Sequence, residues 1–235
     1  MHKKIGILGG TSPESTVEYY RYLTRSYTER FGDHGYPEII IYSVSFQSYV
    51  DWCFGERWDL VAQGLIESAK KLEAAGADLL IIAANTLHIV YDQVQAGVGV
   101  PMISIIDATA DAIEARGFRT AGLLGTKFTM EKPFYRDALA RRGISVIVPE
   151  ADDRQYINKV LYEELSEGKI RDESRDGFIR IMETLEERGA EGVVLGCTEI
   201  PLLVGERDAR MTLFDTTRIH AEAALNYALD QDRGA

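Results

Sequence analysis

The chain contains an internal repeat, and this feature most restricts the fold it can adopt. Residues 76–86 (GADLLIIAANT) and residues 189–199 (GAEGVVLGCTE) both start with Gly-Ala-acid, continue through an apolar run and end in small polar residues. Counted from the first glycine, Ala84 in one copy occupies the position of Cys197 in the other. The repeat predicts two related halves that differ at one point, where one half carries a thiol and the other a methyl group.

The hydrophobic pattern predicts an α/β fold. Short apolar runs alternate with longer amphipathic stretches, which is typical of parallel sheets with crossover helices. We predict two similar Rossmann-like halves with parallel sheets, related by pseudo-two-fold symmetry, with the functional site between them. The first half covers residues 1–106, the second covers residues 107–215, and a C-terminal helix over residues 216–235 packs back on the first half. The predicted strands are Lys4–Leu8, Glu38–Ser43, Leu79–Ile82, Met102–Ile105, Thr120–Leu124, Ser145–Val148, Gly192–Leu195 and Thr212–Phe214, and the predicted helices include Leu60–Ala74, Asp107–Arg116, Met130–Arg142, Asp153–Glu167, Arg175–Arg188 and Thr217–Leu229.

Composition restricts the class of partner. A net charge of −11 argues against nucleic-acid binding, which needs a basic surface. No apolar run reaches the roughly 20 residues of a membrane span, and no signal peptide is recognisable. The two cysteines and four histidines have no metal-ligand spacing. We therefore expect a cytoplasmic protein that acts on a small molecule without metal, nucleic acid or membrane.

Polar clusters follow four of the predicted strands, where parallel sheets bind ligands. After the first strand, Ser12 fits a helix N-cap and Pro13 the first helical position, so Thr11 and Ser12 lie where N–H groups can bind a carboxylate. The simpler interpretation is a capped tight turn, because neither a Walker loop nor a full GxGxxG motif is present. The other clusters, each also interpretable as a cap, contain Thr126 and Thr129, Asn85 and Thr86, and Thr198 and Glu199.

Cys197 is the candidate acid/base group, because its thiol follows Gly196 at a predicted strand end. Backbone N–H groups at such a position favour the thiolate, so we expect a pKa below the usual value of about 8.5. Cys53 lies among aromatic residues and is expected to be a packing residue. His88 is expected to lie on a helix face with one hydrogen bond.

The motifs Asn85-Thr86-Leu87-His88 and Gly196-Cys197-Thr198-Glu199 resemble those of the aspartate/glutamate racemase family. The resemblance covers essentially the whole chain, from the segment 6–10 to Phe214-Asp215-Thr216, and the tract 9–16 is closest to the bacterial broad-specificity members. It implies an amino-acid racemase that uses no cofactor and forms a homodimer.

The family mechanism uses two cysteines on opposite faces of the substrate Cα. One thiolate removes the α-proton, and the other thiol returns a proton from the far side. The resemblance implies that Cys197 is one of these groups, with Glu199 near it or near the substrate ammonium group. The full candidate set for substrate binding is Thr11, Ser12, Asn85, Thr86, Thr126, Thr129, Thr198 and Glu199.

Ala84 departs from the family pattern, because two-cysteine members carry the other thiol there. A methyl group transfers no proton, so symmetric two-base racemisation is in doubt. Three accounts stay open. A water or a hydroxyl such as that of Thr86 or Ser12 is the second acid, or the enzyme protonates from one face only, or the alanine is engineered.

The primary hypothesis is racemisation of aspartate or glutamate. The candidate ligands for the second carboxylate are Arg21 or Arg25 on the first helix and Lys127 beside Thr126. A first alternative is a single-cysteine decarboxylase or isomerase of a small dicarboxylate, which the loss of one thiol favours. A second is a catalytically silent protein that binds an acidic metabolite. A nucleotide-binding Rossmann enzyme is disfavoured, because no complete phosphate motif is present.

Overall fold

A computed structural model describes residues 2–229, which divide into two compact units. Among these residues, unit 1 contains 2–105 and 217–229, and unit 2 contains 106–216. Of the predicted C-terminal helix 216–235, residues 230–235 lie outside the described residues.

The elements alternate between strand and helix, as parallel sheets with crossover helices require. The first part of the chain forms β1 (Ile5–Gly9), α1 (Pro13–Phe31), β2 (Ile39–Ser43), α2 (Phe46–Phe54), α3 (Trp58–Ala74), β3 (Leu79–Ile82), a 3₁₀ turn (Thr86–Val90), α4 (Tyr91–Ala96), β4 (Met102–Ile103) and α5 (Ile105–Ala115). The remainder forms β5 (Thr120–Gly125), α6 (Lys127–Glu131), α7 (Pro133–Arg141), β6 (Ser145–Ile147), α8 (Ala151–Glu163), a second 3₁₀ turn (Leu165–Glu167), α9 (Asp172–Glu187), β7 (Gly192–Gly196), α10 (Ile200–Leu203), β8 (Thr212–Asp215) and α11 (Thr216–Leu229).

Each unit contains one four-stranded parallel sheet, and the two sheets have the same topology. Unit 1 has the strand order β2-β1-β3-β4, and unit 2 has the order β6-β5-β7-β8. All pairings between neighbouring strands are parallel. The predicted α/β fold class with two similar halves is therefore confirmed.

The acidic residue in each repeat has a structural role at the opposite end of the sheet from the polar clusters. Asp78 Oδ2 accepts a hydrogen bond from the Lys4 amide at 2.7 Å. Its counterpart Glu191 accepts through Oε2 from the amides of Arg119 and Thr120 at 2.6 and 2.8 Å, and these bonds lower the pKa of its carboxyl group. Each acid thus anchors the chain that enters the central strand of its own unit.

Each unit has its own apolar core. In unit 1 the strand residues Ile5, Ile7 and Ile81 pack with Tyr19 and with one face of α11. Small residues on that face let α11 lie close to the sheet, and those buried in the core are Ala221, Ala224 and Ala228. The core of unit 2 is built around Phe178 and includes residues from α8, α9 and β7.

Most predicted elements have bounds that differ from the observed ones by one or more residues, and three of them show the kinds of difference. The predicted strand Met102–Ile105 ends at Ile103, because the Ile105 amide bonds to a histidine ring and begins α5. The predicted helix Met130–Arg142 is broken at Lys132, since Pro133 holds the preceding residue in an extended conformation. The predicted helix Asp153–Glu167 begins at Ala151 and ends at Glu163, and a 3₁₀ turn follows it.

Candidate active site

The sheet register aligns the two repeats residue by residue. Ile82 of β3 and Leu195 of β7 each pair with the residue before the final glycine of the neighbouring strand. Ala84 and Cys197 follow two residues later in their units. Counting along the sequence made Ala84 and Cys197 equivalent, and the strand register shows that they also occupy equivalent positions in their two sheets.

Cys197 lies directly after the last residue of β7, in a cluster with the two residues that follow it. Its Sγ donates to Glu199 Oε2 at 2.9 Å, and the Thr198 hydroxyl donates to the same oxygen at 3.0 Å. Glu199 is buried, whereas Cys197 is partly exposed. One carboxylate oxygen therefore accepts hydrogen bonds from both the thiol and the neighbouring hydroxyl.

The pKa of the Cys197 thiol lies well above its usual value, so the expectation of a lowered pKa was wrong. Burial is the largest cause, followed by the negative charge of Glu199 and the hydrogen bond to it. The backbone N–H groups of Glu199 and Thr198 lower the pKa, as expected, but their effect is smaller. The resting group is a thiol with a proton acceptor in contact.

Replacing Glu199 with glutamine is expected to lower the pKa of Cys197, because the neighbouring negative charge is lost. The pH at which iodoacetamide alkylates Cys197 at half its maximal rate should then fall. Mass spectrometry of the peptide that contains Cys197 separates this reaction from any at Cys53. Thr198→Val is the matched control, because it removes a bond to the same carboxylate but keeps the charge. An unchanged or higher midpoint in Glu199→Gln would contradict this account of the raised pKa.

Thr126 and Thr129 follow β5, the strand next to β7, and lie at the start of α6. The Thr126 hydroxyl accepts from the Thr129 amide at 3.3 Å, and the two hydroxyl oxygens are 3.2 Å apart. Gly125 pairs with Gly196, and a Cβ on Gly125 would lie 2.8 Å from the Gly196 carbonyl oxygen. The two glycines let the strands run side by side up to Thr126 and Cys197, which follow at the same edge of the sheet.

The equivalent helix start in unit 1 is Ser12–Ser15. The Ser12 side chain caps α1 by accepting from the Ser15 amide at 3.5 Å, and the two hydroxyl oxygens are 3.2 Å apart. The predicted cap, with Pro13 at the first helical position, is confirmed. Thr11 precedes the cap, and its buried hydroxyl oxygen has no hydrogen-bond partner among residues 2–229. An unsatisfied buried hydroxyl beside a helix start is available to bind a polar group of a ligand.

Asn85 and Thr86 follow Ala84 after the end of β3. Ala84 and Asn85 are buried, Thr86 is partly exposed, and Thr86 begins the 3₁₀ turn that leads into α4. The structure thus brings Ala84, Asn85 and Thr86 to the same end of the sheet in unit 1 as Thr11 and Ser12, because β1 and β3 are neighbours.

Two supporting residues were missed or misjudged in the sequence. Thr216 is fully buried and donates to the carbonyl of Leu195 at 2.8 Å, which fixes the strand end before Cys197. His88 is buried with both ring nitrogens bonded, to the Ala84 carbonyl and to the Ile105 amide. The expectation of one hydrogen bond on a helix face was therefore wrong. Cys53 is buried as expected, and burial raises its pKa to about 11.

The described part of the chain contains neither a cluster of metal-binding side chains nor a helix that could span a membrane. No group of three or more His, Cys, Asp or Glu side chains is placed to hold a metal ion among residues 2–229. Over the same residues, no helix is long and apolar enough to cross a membrane.

Comparison with known proteins places these features in a family. The profile of the Asp/Glu/hydantoin racemase family matches residues 8–224. An aspartate racemase homologue from Pyrococcus horikoshii has a similar structure, with a TM-score of 0.85 and 43% identity over 96% of this chain and 99% of that one. The broad-specificity amino-acid racemase RacX of Bacillus subtilis is 24% identical over 225 residues, or 94% of this chain and 96% of RacX. Picrophilus torridus aspartate racemase, at 24% identity over 96% of this chain and 94% of its own, shares the fold with a TM-score of 0.78.

The family match and relatives with this activity, on a fold of two parallel sheets with the same topology, identify the class as amino-acid racemase. The chain belongs to the Asp/Glu/hydantoin racemase family.

Proposed function

We propose that this enzyme interconverts the enantiomers of aspartate or glutamate by removing and returning the α-proton, without PLP, metal or nucleotide. The observation that carries the proposal is the Cys197 thiol, which contacts Glu199 at 2.9 Å in a chain of the racemase family. The proposal includes a homodimer and a small acidic amino acid as the substrate. Cytoplasmic localisation is part of the same proposal.

The first step moves two protons. Glu199 takes the proton of the Cys197 thiol, and the thiolate then takes the proton of the substrate Cα–H bond. The electron pair of that bond spreads onto the α-carboxylate, so the thiol is restored, Glu199 is protonated and the substrate is a carbanion. Since the carbon acid is weak, hydrogen bonds prepared for the developing oxyanion supply much of the catalysis.

The polar clusters supply these hydrogen bonds in our proposal. The paired hydroxyls at each helix start suit a carboxylate, because the positive end of a helix dipole favours an anion. The buried Thr11 hydroxyl, which has no hydrogen-bond partner among the described residues, gains one when a ligand binds. Lys127, exposed at the first position of α6, is the cation proposed for the second carboxylate. The proposed substrate ligands are Thr11, Ser12, Asn85, Thr86, Thr126, Thr129, Thr198 and Glu199.

The methyl group of Ala84 makes the two faces of the substrate unequal. Cys197 acts on one face, and protonation of the other depends on a water or a hydroxyl such as that of Thr86 or Ser12. Water and alcohols are far weaker acids than a thiol, so the second step is slow. Exchange of the α-proton with solvent should therefore outrun inversion.

Incubation of the protein with L- and D-aspartate and L- and D-glutamate in D₂O tests the proposal. NMR measures loss of the α-proton, and chiral chromatography measures inversion. We expect deuterium to enter one enantiomer of the preferred amino acid faster than the other enantiomer forms. No exchange with any of the four substrates would exclude the proposed reaction.

A second candidate is decarboxylation of a small dicarboxylate by Cys197 alone. The presence of a single thiol at the two equivalent strand ends favours it, because decarboxylation needs only one proton donor. Release of CO₂ from a substituted malonate, with no α-proton exchange in the amino acids, would support this candidate. Ligand binding without either reaction would point instead to a protein that binds an acidic metabolite.

A further inference from the structure

Unit 1 contains two buried histidines in ring contact, and all four of their ring nitrogens are hydrogen-bonded. His88 Nδ1 lies 2.8 Å from the Ala84 carbonyl oxygen, and its Nε2 lies 3.1 Å from the Ile105 amide nitrogen. His220 Nε2 lies 2.7 Å from the Ile103 carbonyl oxygen, and its Nδ1 lies 2.7 Å from the Tyr19 hydroxyl oxygen. The two ring centroids are 5.8 Å apart.

These partners determine the tautomer of each ring. A carbonyl oxygen only accepts and an amide N–H only donates, so the ring nitrogen that faces each has a fixed role. His88 must carry its proton on Nδ1 and accept through Nε2. His220 must carry a proton on Nε2, and as a neutral ring it accepts the Tyr19 hydroxyl proton on Nδ1. His88 is neutral because a second proton would oppose the Ile105 N–H, and burial keeps His220 neutral as well.

The rings hold β4 and the start of α5, at the side of the sheet where β4 is the last strand among residues 2–229. β4 is only two residues long and is the last strand in the order of unit 1. Side chains bond to the two successive carbonyls of this strand: the Tyr91 hydroxyl donates to the Met102 carbonyl at 2.7 Å, and His220 donates to the Ile103 carbonyl at 2.7 Å. His88 then binds the Ile105 amide.

His88 differs from the other two side chains because its second bond reaches the candidate active site. The Ala84 carbonyl and the Asn85 N–H belong to one planar peptide and point in opposite directions. A hydrogen bond that fixes the carbonyl toward His88 therefore aims the Asn85 N–H away from it. Asn85 and Thr86 follow directly, so the orientation of this one peptide sets the start of the polar cluster.

We propose that His88, as the neutral Nδ1–H tautomer, is a positioning residue that fixes the Ala84–Asn85 peptide against the Ile105 amide and so orients Asn85 and Thr86 for the substrate. The functional part of this inference rests on the proposed function, in which those two residues bind the substrate carboxylate. His220 and Tyr91 also bond to β4, but their hydrogen bonds there go to Ile103 and Met102 and not to Ala84, so they support the fold and serve as a comparison for the role of His88 in the site.

The titration of the rings agrees with this arrangement. Burial lowers the pKa of His88 to about 3, with a contribution from His220, and lowers the pKa of His220 to about 4. The titratable groups that face His88 are His220 and the stacked ring of Tyr91, and Tyr19 faces His220. Because the folded pKa values lie below the usual 6.5, the unfolded chain takes up protons first as the pH falls. The stability from the neutral rings is complete above pH 6.5 and is lost progressively as the pH falls toward 4 and then 3.

Nitrogen-15 NMR of the histidine rings tests the tautomers directly in the unmodified protein. We expect a protonated Nδ1 and an unprotonated Nε2 for His88, the reverse for His220, and no change in either ring between pH 7 and pH 5. A His88 that carries its proton on Nε2, or that is doubly protonated at pH 6, would overturn the proposal. This measurement does not depend on catalytic activity.

Two substitutions separate the two bonds of His88. His88→Asn places an amide N–H near the position of Nδ1 and keeps the bond to Ala84, whereas His88→Gln places a carbonyl near Nε2 and keeps the bond to Ile105. We expect KM for the preferred amino acid to rise about five-fold in His88→Gln, which corresponds to one lost hydrogen bond, and to change less than two-fold in His88→Asn. His220→Gln, the matched control, should lower the melting temperature without changing KM.

The outcomes distinguish this proposal from the proposed function. Equal values of KM in the two His88 variants, with both folded, would overturn the role of His88 while the reaction stands. A parent protein that exchanges no α-proton would exclude the reaction. In that case the chemical shift of the Asn85 amide decides the proposal: it should move in His88→Gln and stay near its parent value in His88→Asn, and equal movement in both would overturn it.

Discussion

Replacing Cys197 with serine is expected to slow α-proton exchange by roughly 10²–10⁴-fold, the usual contribution of a general acid–base group. The hydroxyl keeps the size of the side chain and can still donate to Glu199, but it is a far weaker acid than the thiol. Substrate binding should change little, because the proposed ligands of the carboxylate are untouched. The measurement is the rate of deuterium incorporation from D₂O, with KM determined from the same series.

Cys53→Ala is the control for this experiment, since it also removes a cysteine. Cys53 is a buried residue of α2 and is not one of the candidate site residues. It should lower the melting temperature through a small cavity and leave the exchange rate within about two-fold of the parent rate. Exchange in Cys197→Ser within ten-fold of the parent rate would mean that another group removes the proton.

Replacing Ala84 with cysteine is expected to raise the rate of inversion relative to exchange by roughly ten-fold or more, because a second thiol then stands where the first half has only a methyl group. The hydrogen bond between His88 and position 84 survives, since it uses the main-chain carbonyl. In the background of Cys197→Ser, the new thiol should also exchange the α-proton of the opposite enantiomer from the one that Cys197 attacks.

Ala84→Ser is the matched control, because it adds one heavy atom of nearly the same size without a comparably acidic proton. It should leave the ratio of inversion to exchange close to that of the parent. If Ala84→Ser accelerates inversion as much as Ala84→Cys, then a hydroxyl at position 84 is enough. The slow inversion of the parent would then not be explained by the missing acidity of a thiol. If neither does, position 84 is not a proton-transfer position in this chain.

The sequence was informative wherever local rules decide the structure. The Gly-Ala-acid repeat predicted two similar halves, and the cap at Ser12 followed by Pro13 predicted the start of α1, because capping depends only on neighbouring residues. The same kind of local rule predicts a break before Pro133. The apolar periodicity on both sides of the proline led instead to the prediction of one continuous helix. Bounds of short elements such as β4 were wrong, because a side chain distant in the sequence ends the strand.

The electrostatics of the site could not be predicted in the same way. The sequence places N–H groups beside Cys197, and these do lower its pKa, but burial and the charge of Glu199 outweigh them. Whether the Glu199 carboxylate points toward the thiol or away from it depends on the rotamer, which no spacing rule gives. The roles of His88 and His220 were hidden for a similar reason, since their partners are up to 201 residues away along the chain.

The anchors at Asp78 and Glu191 have a consequence for how such a protein can evolve. Their hydrogen bonds fix the start of the central strands β1 and β5, at the end of each sheet opposite the candidate site residues. After a duplication, selection for folding then acts mainly on the end of each sheet that carries the anchor. The residues at the opposite end, after the strands, can diverge in sequence between the two halves. The present chain shows this divergence, with Gly-Ala-acid kept in both copies while Ala84, Asn85 and Thr86 stand opposite Cys197, Thr198 and Glu199. Ala84 lies after the carboxyl end of β3, away from the Asp78 anchor at the other end of the strand, so a change of side chain at position 84 leaves that anchor in place.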